Sequence, residues 1–303
     1  MPMVGRGFYA WQQRWAPYLF VAPFVLMFLA FTLYPMVKSV FLSLYITSGP
    51  KSSAFAGLGN FGFMFSDPSF YRALGNTAVF ALGSVFLQLP VSLGLAIVLN
   101  SRLVAFRNAF RFVFFSPYLL GSVFTSVLFG VIYAPFYGLL NVALNGLFGL
   151  AIDRDWLQTP GLVMPALILT ALWMYAGFNM VYFLAALQTV DKDLLDAAAV
   201  DGANAWQRFW HITLPSIKPV AVFVVVLSTI GSFQLYELAY LMLGNGPGPE
   251  ESGLTVVMYL YLRGFYSGDL GYASAVGWTL ALIVLAISIV QMRMSGTWRK
   301  EDA

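Results

Sequence analysis

The chain has 303 residues, of which 60% are hydrophobic and 10% are charged, whereas a soluble globular chain carries about 25% charged residues. Too few polar side chains are present to cover a water-facing surface, so lipid is the expected solvent for much of the chain. Cysteine is absent and histidine occurs once, which excludes disulfides and argues against a transition-metal site. A formal net charge of +3 gives no indication of nucleic acid binding.

Six stretches are apolar enough and long enough to cross a bilayer as helices, which takes roughly 20 residues each. They lie at about 17–37, 73–100, 112–134, 160–190, 219–243 and 270–292. An apolar piece at 135–152 is interrupted by glycine and asparagine, so we interpret it as interfacial or re-entrant. The predicted fold class is all-α, a polytopic membrane protein of about six transmembrane helices.

The distribution of lysine and arginine predicts the orientation, because these residues concentrate in cytoplasmic loops. With the amino terminus inside, eleven of them fall on the cytoplasmic side and five on the outer side. Residues 1–16 and 293–303 are then cytoplasmic, and 17–292 form a single transmembrane domain. The cytoplasmic loop at 191–218 joins the fourth and fifth spans.

That loop has the pattern of two short helices. Asp191 or Asp193 can cap the first helix, the alanines at 197–199 favour it, and Gly202 supplies a permissive turn. Bulky apolar residues, among them Trp206 and Phe209, continue the second helix until Pro215, which is predicted to end it. Gly202 has two interpretations, a coupling turn or only a helix C-cap.

The same loop resembles the EAA loop of the permease subunits of binding-protein-dependent ABC importers. That signature reads roughly E-A-A-x-x-D-G-A, followed after a fixed gap by I-x-L-P. Aspartate stands at position 196 where the family usually has glutamate. The matching residues are Asp196, Ala197, Ala198, Asp201, Gly202, Ala203, Ile212, Thr213, Leu214 and Pro215.

The resemblance covers nearly the whole chain. It is to the branch of that family that imports sugars, which includes the maltose, lactose and glycerol-phosphate permeases. It implies a type I importer fold in a bacterial or archaeal plasma membrane. It also implies that the loop docks on a separate ATPase, with Trp206 and Phe209 joining the signature residues at the contact. The further implied partners are a second permease, either a related chain or another copy of this one, a second ATPase subunit and an extracytoplasmic solute-binding protein. ATP and magnesium would be bound by the ATPase and no cofactor by this chain, which has no GxxxxGK[ST] phosphate loop.

Polar and aromatic residues within the spans are candidates for the substrate pathway. Tyr175, Asn179 and Tyr182 share one face of the fourth span, as Ser232 and Tyr236 do on the fifth. Glu237 is the one acidic residue in a predicted span, and such residues are costly in lipid and often functional. For each of these residues ordinary helix packing is the alternative.

Two other classes of protein compete with a permease subunit. An ion-coupled secondary transporter would work alone, but Glu237 is the only carboxylate in the predicted spans. A membrane enzyme acting on lipids would need a cluster of histidine or acidic residues at a membrane face, and the sequence offers none.

Overall fold

A computed structural model describes residues 5–49, 53–101, 104–149 and 153–296. Its helices are α1 Gly5–Phe28, α2 Tyr34–Leu42, α3 Gly59–Met64, α4 Pro68–Gly83, α5 Leu89–Asn100, α6 Arg107–Ile132, α7 Leu139–Phe148, α8 Pro160–Gln188, α9 Lys192–Val200, α10 Ala205–Arg208, α11 Leu214–Phe233, α12 Glu237–Met242, α13 Val256–Tyr261 and α14 Leu270–Ser295. Two short strands, β1 Tyr45–Thr47 and β2 Ser53–Phe55, pair antiparallel. One 3₁₀ turn, Pro249–Glu251, and four π-helical turns, Leu29–Leu33, Ser84–Gln88, Phe209–Thr213 and Leu262–Tyr266, complete the set.

Six helical segments in the described part of the chain are long and apolar enough to cross a membrane, as predicted. They are Gln13–Leu42, Pro68–Asn100, Arg107–Ile132, Pro160–Gln188, Ala205–Phe233 and Leu270–Ser295. The helix α7 lies in the apolar piece between the third and fourth predicted spans. It has ten residues and is too short to cross a membrane. The all-α membrane fold class is therefore confirmed, with one small hairpin added to it.

The described chain divides into two compact units. One comprises Met1–Met64 and Arg263–Trp278, and the other comprises Phe65–Leu262 and Thr279–Ala303. In the first unit the hairpin β1–β2 is held by polar contacts: the Thr47 hydroxyl donates to Asp269 Oδ1 at 3.2 Å and accepts from the Gly271 N–H at 2.9 Å. A Cβ on Gly271 would lie 1.8 Å from the Tyr45 carbonyl oxygen, so only glycine allows this approach.

The second unit is built around α8, half of whose most apolar 18-residue window is buried. Small residues bring its neighbours close, as is common between helices in membranes. A Cβ on Gly177 would lie 1.8 Å from the Phe114 carbonyl oxygen of α6, and one on Gly83 would lie 2.5 Å from Ile168 Cδ1 of α8. The buried side chains of α5, α8 and α11 form one apolar cluster that includes Met180.

A polar contact ties the loop before α13 to the start of α4 within the second unit. Arg72 Nη1 lies 3.3 Å from Glu251 Oε2, and Asn76 Nδ2 donates to the Glu251 and Leu254 carbonyl oxygens. The start of the second span and the segment that follows the fifth are thus at the same end of this unit. This agrees with the predicted topology, in which both lie on one side of the membrane.

Two predictions about the fifth span are wrong. Pro215 does not end a helix, because the π turn Phe209–Thr213 precedes it and the helix continues as α11 to Phe233. Proline lacks an N–H, and its place in the first turn after the π turn makes that loss tolerable. The span also stops at Phe233 rather than at residue 243, and the short helix α12 follows after a break at 234–236.

Candidate functional site

The segment 191–215 begins with a helix that is capped at both ends by its own residues. The Asp191 carboxylate accepts a hydrogen bond from the Asp193 N–H at 2.9 Å, so Asp191 is the N-cap that the sequence left open between two residues. At the other end the Gly202 N–H donates to the Ala199 carbonyl and the Ala203 N–H donates to the Ala198 carbonyl. This pair of bonds is a Schellman motif, which satisfies the last carbonyl groups of α9.

Gly202 therefore has the geometry of a helix C-cap. Its φ of +85° lies in the left-handed region, which favours glycine. A Cβ built there would meet no atom within 4 Å, so this chain itself has room for a side chain at that position. If the absence of a side chain at this position matters for a reason other than the backbone conformation, the reason is contact with a partner.

The second helix of the segment starts from a capping box. The Asn204 side chain accepts from the Gln207 N–H, and the Gln207 side chain accepts from the Asn204 N–H, both at 2.9 Å. Such reciprocal bonds fix the start of a helix. Because α10, the π turn and α11 follow without interruption, this start belongs to a single helical stretch of 29 residues, Ala205–Phe233.

Three aromatic side chains form a cluster on this stretch. The rings of Trp206 and Phe209 have centroids 6.2 Å apart, those of Trp206 and Trp210 5.5 Å apart, and those of Phe209 and Trp210 5.6 Å apart. Trp206 is 68% exposed and Trp210 is 47% exposed. Ile212 and Leu214, by contrast, pack against the apolar cluster of α5, α8 and α11. One face of the segment is thus anchored to the spans and another is left open.

Between the two helices of the segment is a groove of about 350 Å³. Within the described part of the chain, the Asp196 and Asp201 carboxylates accept no hydrogen bond, and Arg208 Nε is buried without a partner. The groove is lined by Ala198, Asp201, Gly202, Ala203, Gln207, Arg208, His211 and Ile212. The segment therefore combines free charged groups with open aromatic surface.

A second site is a cavity of about 470 Å³ in the second unit. Five of the six predicted pathway residues line it: Tyr175, Asn179, Ser232, Tyr236 and Glu237. The sixth, Tyr182, is outside the cavity wall and packs between the rings of Phe178 and Phe223, at 5.2 Å and 5.8 Å. Although Tyr182 lies on the same face of α8 as Tyr175 and Asn179, its side chain packs against neighbouring rings instead of lining the cavity.

Breaks in the helices surround this cavity. Gly121 has φ 70° and ψ 173° inside α6, a conformation essentially restricted to glycine. The break at 234–236 separates α11 from α12, and the π turn Ser84–Gln88 lies between α4 and α5. Irregular backbone at membrane depth is tolerated where it lines a cavity, and discontinuous helices often form transporter binding sites.

Sequence reasoning missed several polar residues of the wall. Tyr118 and Ser122 line the cavity on either side of Gly121, and Ser84 and Gln88 line it from the π turn. Both pairs are spaced i, i+4 within apolar stretches, so each pair lies on one face of its helix. That spacing is the sequence signal that could have identified them. Ser84 Oγ is buried and has no partner among the described residues.

Aromatic rings and amides make the wall suitable for a sugar. The Tyr118 ring stacks on Phe178 with centroids 4.4 Å apart, and Asn179 Nδ2 lies 3.4 Å from Ser228 Oγ. Aromatic faces can pack on sugar rings while amides and hydroxyls bond their hydroxyl groups. Among the described residues there is no group of three histidine, cysteine or acidic side chains that would hold a metal ion.

Comparison with known proteins identifies the family. Residues 88–296 match the family model described as "Binding-protein-dependent transport system inner membrane component". The chain is 38% identical to "Arabinooligosaccharides transport system permease protein AraP" of Bacillus subtilis (strain 168), over 96% of this chain and 92% of that protein.

Two solved structures share the fold. One is a bacterial ABC transporter involved in the import of the acidic polysaccharide alginate, with a TM-score of 0.83, 25% identity, and coverage of 98% of this chain and 100% of that chain. The other is a bacterial alginate ABC transporter in complex with a periplasmic protein that holds an alginate pentasaccharide; its TM-score is 0.83 at 25% identity, over 95% of this chain and 96% of that chain. Neither comparison gives support to the ion-coupled alternative. The chain belongs to the family of binding-protein-dependent transport system inner membrane components, as the resemblance of its 191–215 segment predicted.

Proposed function

We propose that this chain is a permease subunit of an ATP-driven importer for sugars or sugar-like solutes, and that it passes its substrate through the 470 Å³ cavity. The observation that carries the proposal is the continuous helical stretch Ala205–Phe233. It bears the exposed Trp206 at one end and the cavity residues Ser228 and Ser232 towards the other. At 1.5 Å per residue such a stretch spans roughly 40 Å.

In this proposal the 191–215 segment is the docking surface for a separate ATPase subunit. Asp196 and Asp201 offer carboxylates to basic side chains or N–H groups of the ATPase. Trp206 and Phe209 offer aromatic anchors of the kind that dominate protein interfaces. The remaining contact positions, which fix the shape of the groove and its junction with α11, are Ala197, Ala198, Gly202, Ala203, Ile212, Leu214 and Pro215. Movement of the ATPase is transmitted to the cavity wall through the helix on which both lie.

The substrate contacts proposed in the cavity are Tyr175, Asn179, Ser232, Tyr236 and Glu237, joined by Tyr118 and Gln88. The sugar class is supported by the aromatic and amide composition of the wall. The name of the relative with 38% identity, which refers to arabinooligosaccharides, points to the same class. Tyr182 serves the packing of α8 rather than the substrate.

The complete transporter in this proposal contains a second, related permease, two ATPase subunits and an extracytoplasmic solute-binding protein. The solved complex with a periplasmic binding protein supports the last of these. ATP and magnesium are bound by the ATPase subunits and no cofactor by this chain. The eleven-to-five distribution of lysine and arginine supports cytoplasmic termini in a bacterial or archaeal plasma membrane.

The test is to remove an exposed anchor of the segment without disturbing the fold. Trp206→Ala in the assembled transporter is expected to lower ATP-dependent sugar uptake into proteoliposomes by at least about tenfold, because it removes an interface aromatic. It should also weaken co-purification of the ATPase. Phe106→Ala is the matched control, since Phe106 is an 84% exposed aromatic outside the segment. Unchanged uptake and unchanged co-purification in the Trp206 variant would refute the coupling role.

A further inference from the structure

The cavity wall carries a single formal charge. Of its eighteen described lining residues, Glu237 alone has an acidic side chain, and none is arginine, lysine or histidine. The rest are tyrosines, amides, serines, glycine and apolar residues. A solute in this cavity therefore meets one carboxylate and no cation from the described part of this chain.

Among the described residues of this unit, no cation forms an ion pair with that carboxylate. The ion pair found between described residues, Arg72–Glu251, is elsewhere in the second unit, and Glu237 makes no salt bridge within the described ranges. Glu237 is also the first residue of α12, directly after the break at 234–236.

A lone carboxylate in a cavity whose other described wall residues are uncharged acts differently on charged and uncharged solutes. Low-dielectric walls focus its field, and a second negative charge in the same space is repelled far more strongly than it would be in water. The hydroxyl groups of an uncharged sugar, in contrast, can donate hydrogen bonds to both carboxylate oxygens.

We propose that Glu237 makes this cavity selective for uncharged sugars over sugars that carry a carboxylate or a phosphate group. The inference rests on the proposed function, since it names the charge class of the substrate at the same cavity.

The charge can be measured without any sugar, because the chain contains no cysteine. Ser122→Cys and, separately, Ser228→Cys place a single thiol in the cavity wall. In the assembled transporter each thiol is treated with a cationic or an anionic methanethiosulfonate reagent, and modification of this chain is followed by mass spectrometry. The ratio of the two rates, divided by the ratio for a free thiol, reports the local potential.

The expected result is a normalised cation-to-anion ratio at least about tenfold higher with Glu237 than with Glu237→Gln. Glu237→Asp, which keeps the charge, should retain the high ratio, and it covers the case in which the glutamine variant fails to assemble. Glu250→Gln removes a carboxylate outside the cavity wall and should leave the ratio within about twofold. A ratio that is the same with Glu237 and with Glu237→Gln would overturn the inference.

Uptake then tests the substrate class. Proteoliposomes holding the full transporter are given a neutral oligosaccharide or its analogue with one terminal uronate, at concentrations that give equal occupancy of the solute-binding protein. Glu237→Gln is expected to raise uptake of the uronate relative to the neutral sugar by about tenfold. An unchanged relative uptake would overturn the selectivity. If the wild-type transporter takes up neither sugar although the binding protein is occupied, the proposed function fails, whatever the thiol ratio shows about the charge.

Discussion

The 191–215 segment and the cavity are built in different ways, although one helix belongs to both. The segment is made by contacts between near neighbours in sequence: the Asp191 cap, the Schellman motif at Gly202 and the capping box at Asn204. The cavity is made by residues from five helices and by breaks at Gly121, at 234–236 and at 84–88. Local features determine the first site, and interruptions of regular structure determine the second. Substitutions in the two regions should therefore have different consequences.

The largest effect on folding is expected where α8 meets α6 beside the cavity. Gly177→Ala places a Cβ within 1.8 Å of the Phe114 carbonyl oxygen, and overpacking of this kind costs about 1–3 kcal/mol. Gly161→Ala is the control on the same helix, because a Cβ there meets no atom within 4 Å. Thermal unfolding in detergent should show a lower Tm for the first variant only. Equal Tm values would mean that the close helix contact is dispensable.

The segment should show the opposite behaviour, a loss of transport without a loss of folding. Gly202→Asn keeps a residue that tolerates left-handed φ, and its side chain points into open space in this chain, so the change in unfolding free energy should stay below about 1 kcal/mol. ATP-dependent uptake should nevertheless fall by about tenfold, if a docked ATPase occupies that space. Gly202→Asp also adds a charge, so ATP-dependent uptake is expected to fall further in that variant than in Gly202→Asn. Uptake at the wild-type level in both variants would leave Gly202 with the role of a helix C-cap alone.

A smaller effect is expected from the capping box. Asn204→Ala removes the bond to the Gln207 N–H, and loss of an N-cap costs about 1 kcal/mol. Because this end of the helix is exposed, the cost should appear as faster amide hydrogen exchange at Gln207 and Arg208, whose N–H groups bond to Asn204, rather than as a large change in Tm. Asn204→Ser keeps a capping oxygen and should restore slow exchange. Fast exchange in both variants would contradict the capping account.

The smallest effect on stability is expected at Ser84 in the cavity wall. Its hydroxyl is buried and has no partner among the described residues, so Ser84→Ala should change the unfolding free energy by less than about 0.5 kcal/mol or raise it. Ser92→Ala is the comparison, because that buried hydroxyl donates to the Gln88 carbonyl at 2.7 Å. A lower stability for the Ser84 variant than for the Ser92 variant would show that Ser84 has a structural role.

These two regions also differ in how far the sequence predicts them. The six spans follow from the length of apolar runs, and the two helices of the segment follow from capping residues and alanines, because both signals are local. Tyr175, Asn179, Ser232, Tyr236 and Glu237 are found as polar residues within the predicted spans, although Tyr236 and Glu237 follow the observed end of the fifth span at Phe233. Their convergence on one cavity depends on breaks that no local pattern specifies.

The differences between the predicted and the observed positions have the same origin. The sequence predicts a helix end at Pro215 because proline has no N–H to donate to the helix. The π turn at 209–213 makes the missing hydrogen bond tolerable, and the helix continues past Pro215. Tyr182 was placed with Tyr175 and Asn179 by helical spacing alone. The spacing is correct, yet Phe178 and Phe223 enclose its ring. Ser84 and Gln88 were missed because they lie in the second span, where the sequence analysis singled out no residue.

The central claim is that the 191–215 segment and the cavity are coupled through the helical stretch Ala205–Phe233. The most direct test measures the modification rate of Ser228→Cys in the assembled transporter, with and without a non-hydrolysable ATP analogue. The account predicts that the nucleotide changes this rate by about fivefold or more, and that Trp206→Ala in the same chain abolishes the change. A nucleotide effect of the same size in the Trp206 variant would contradict it.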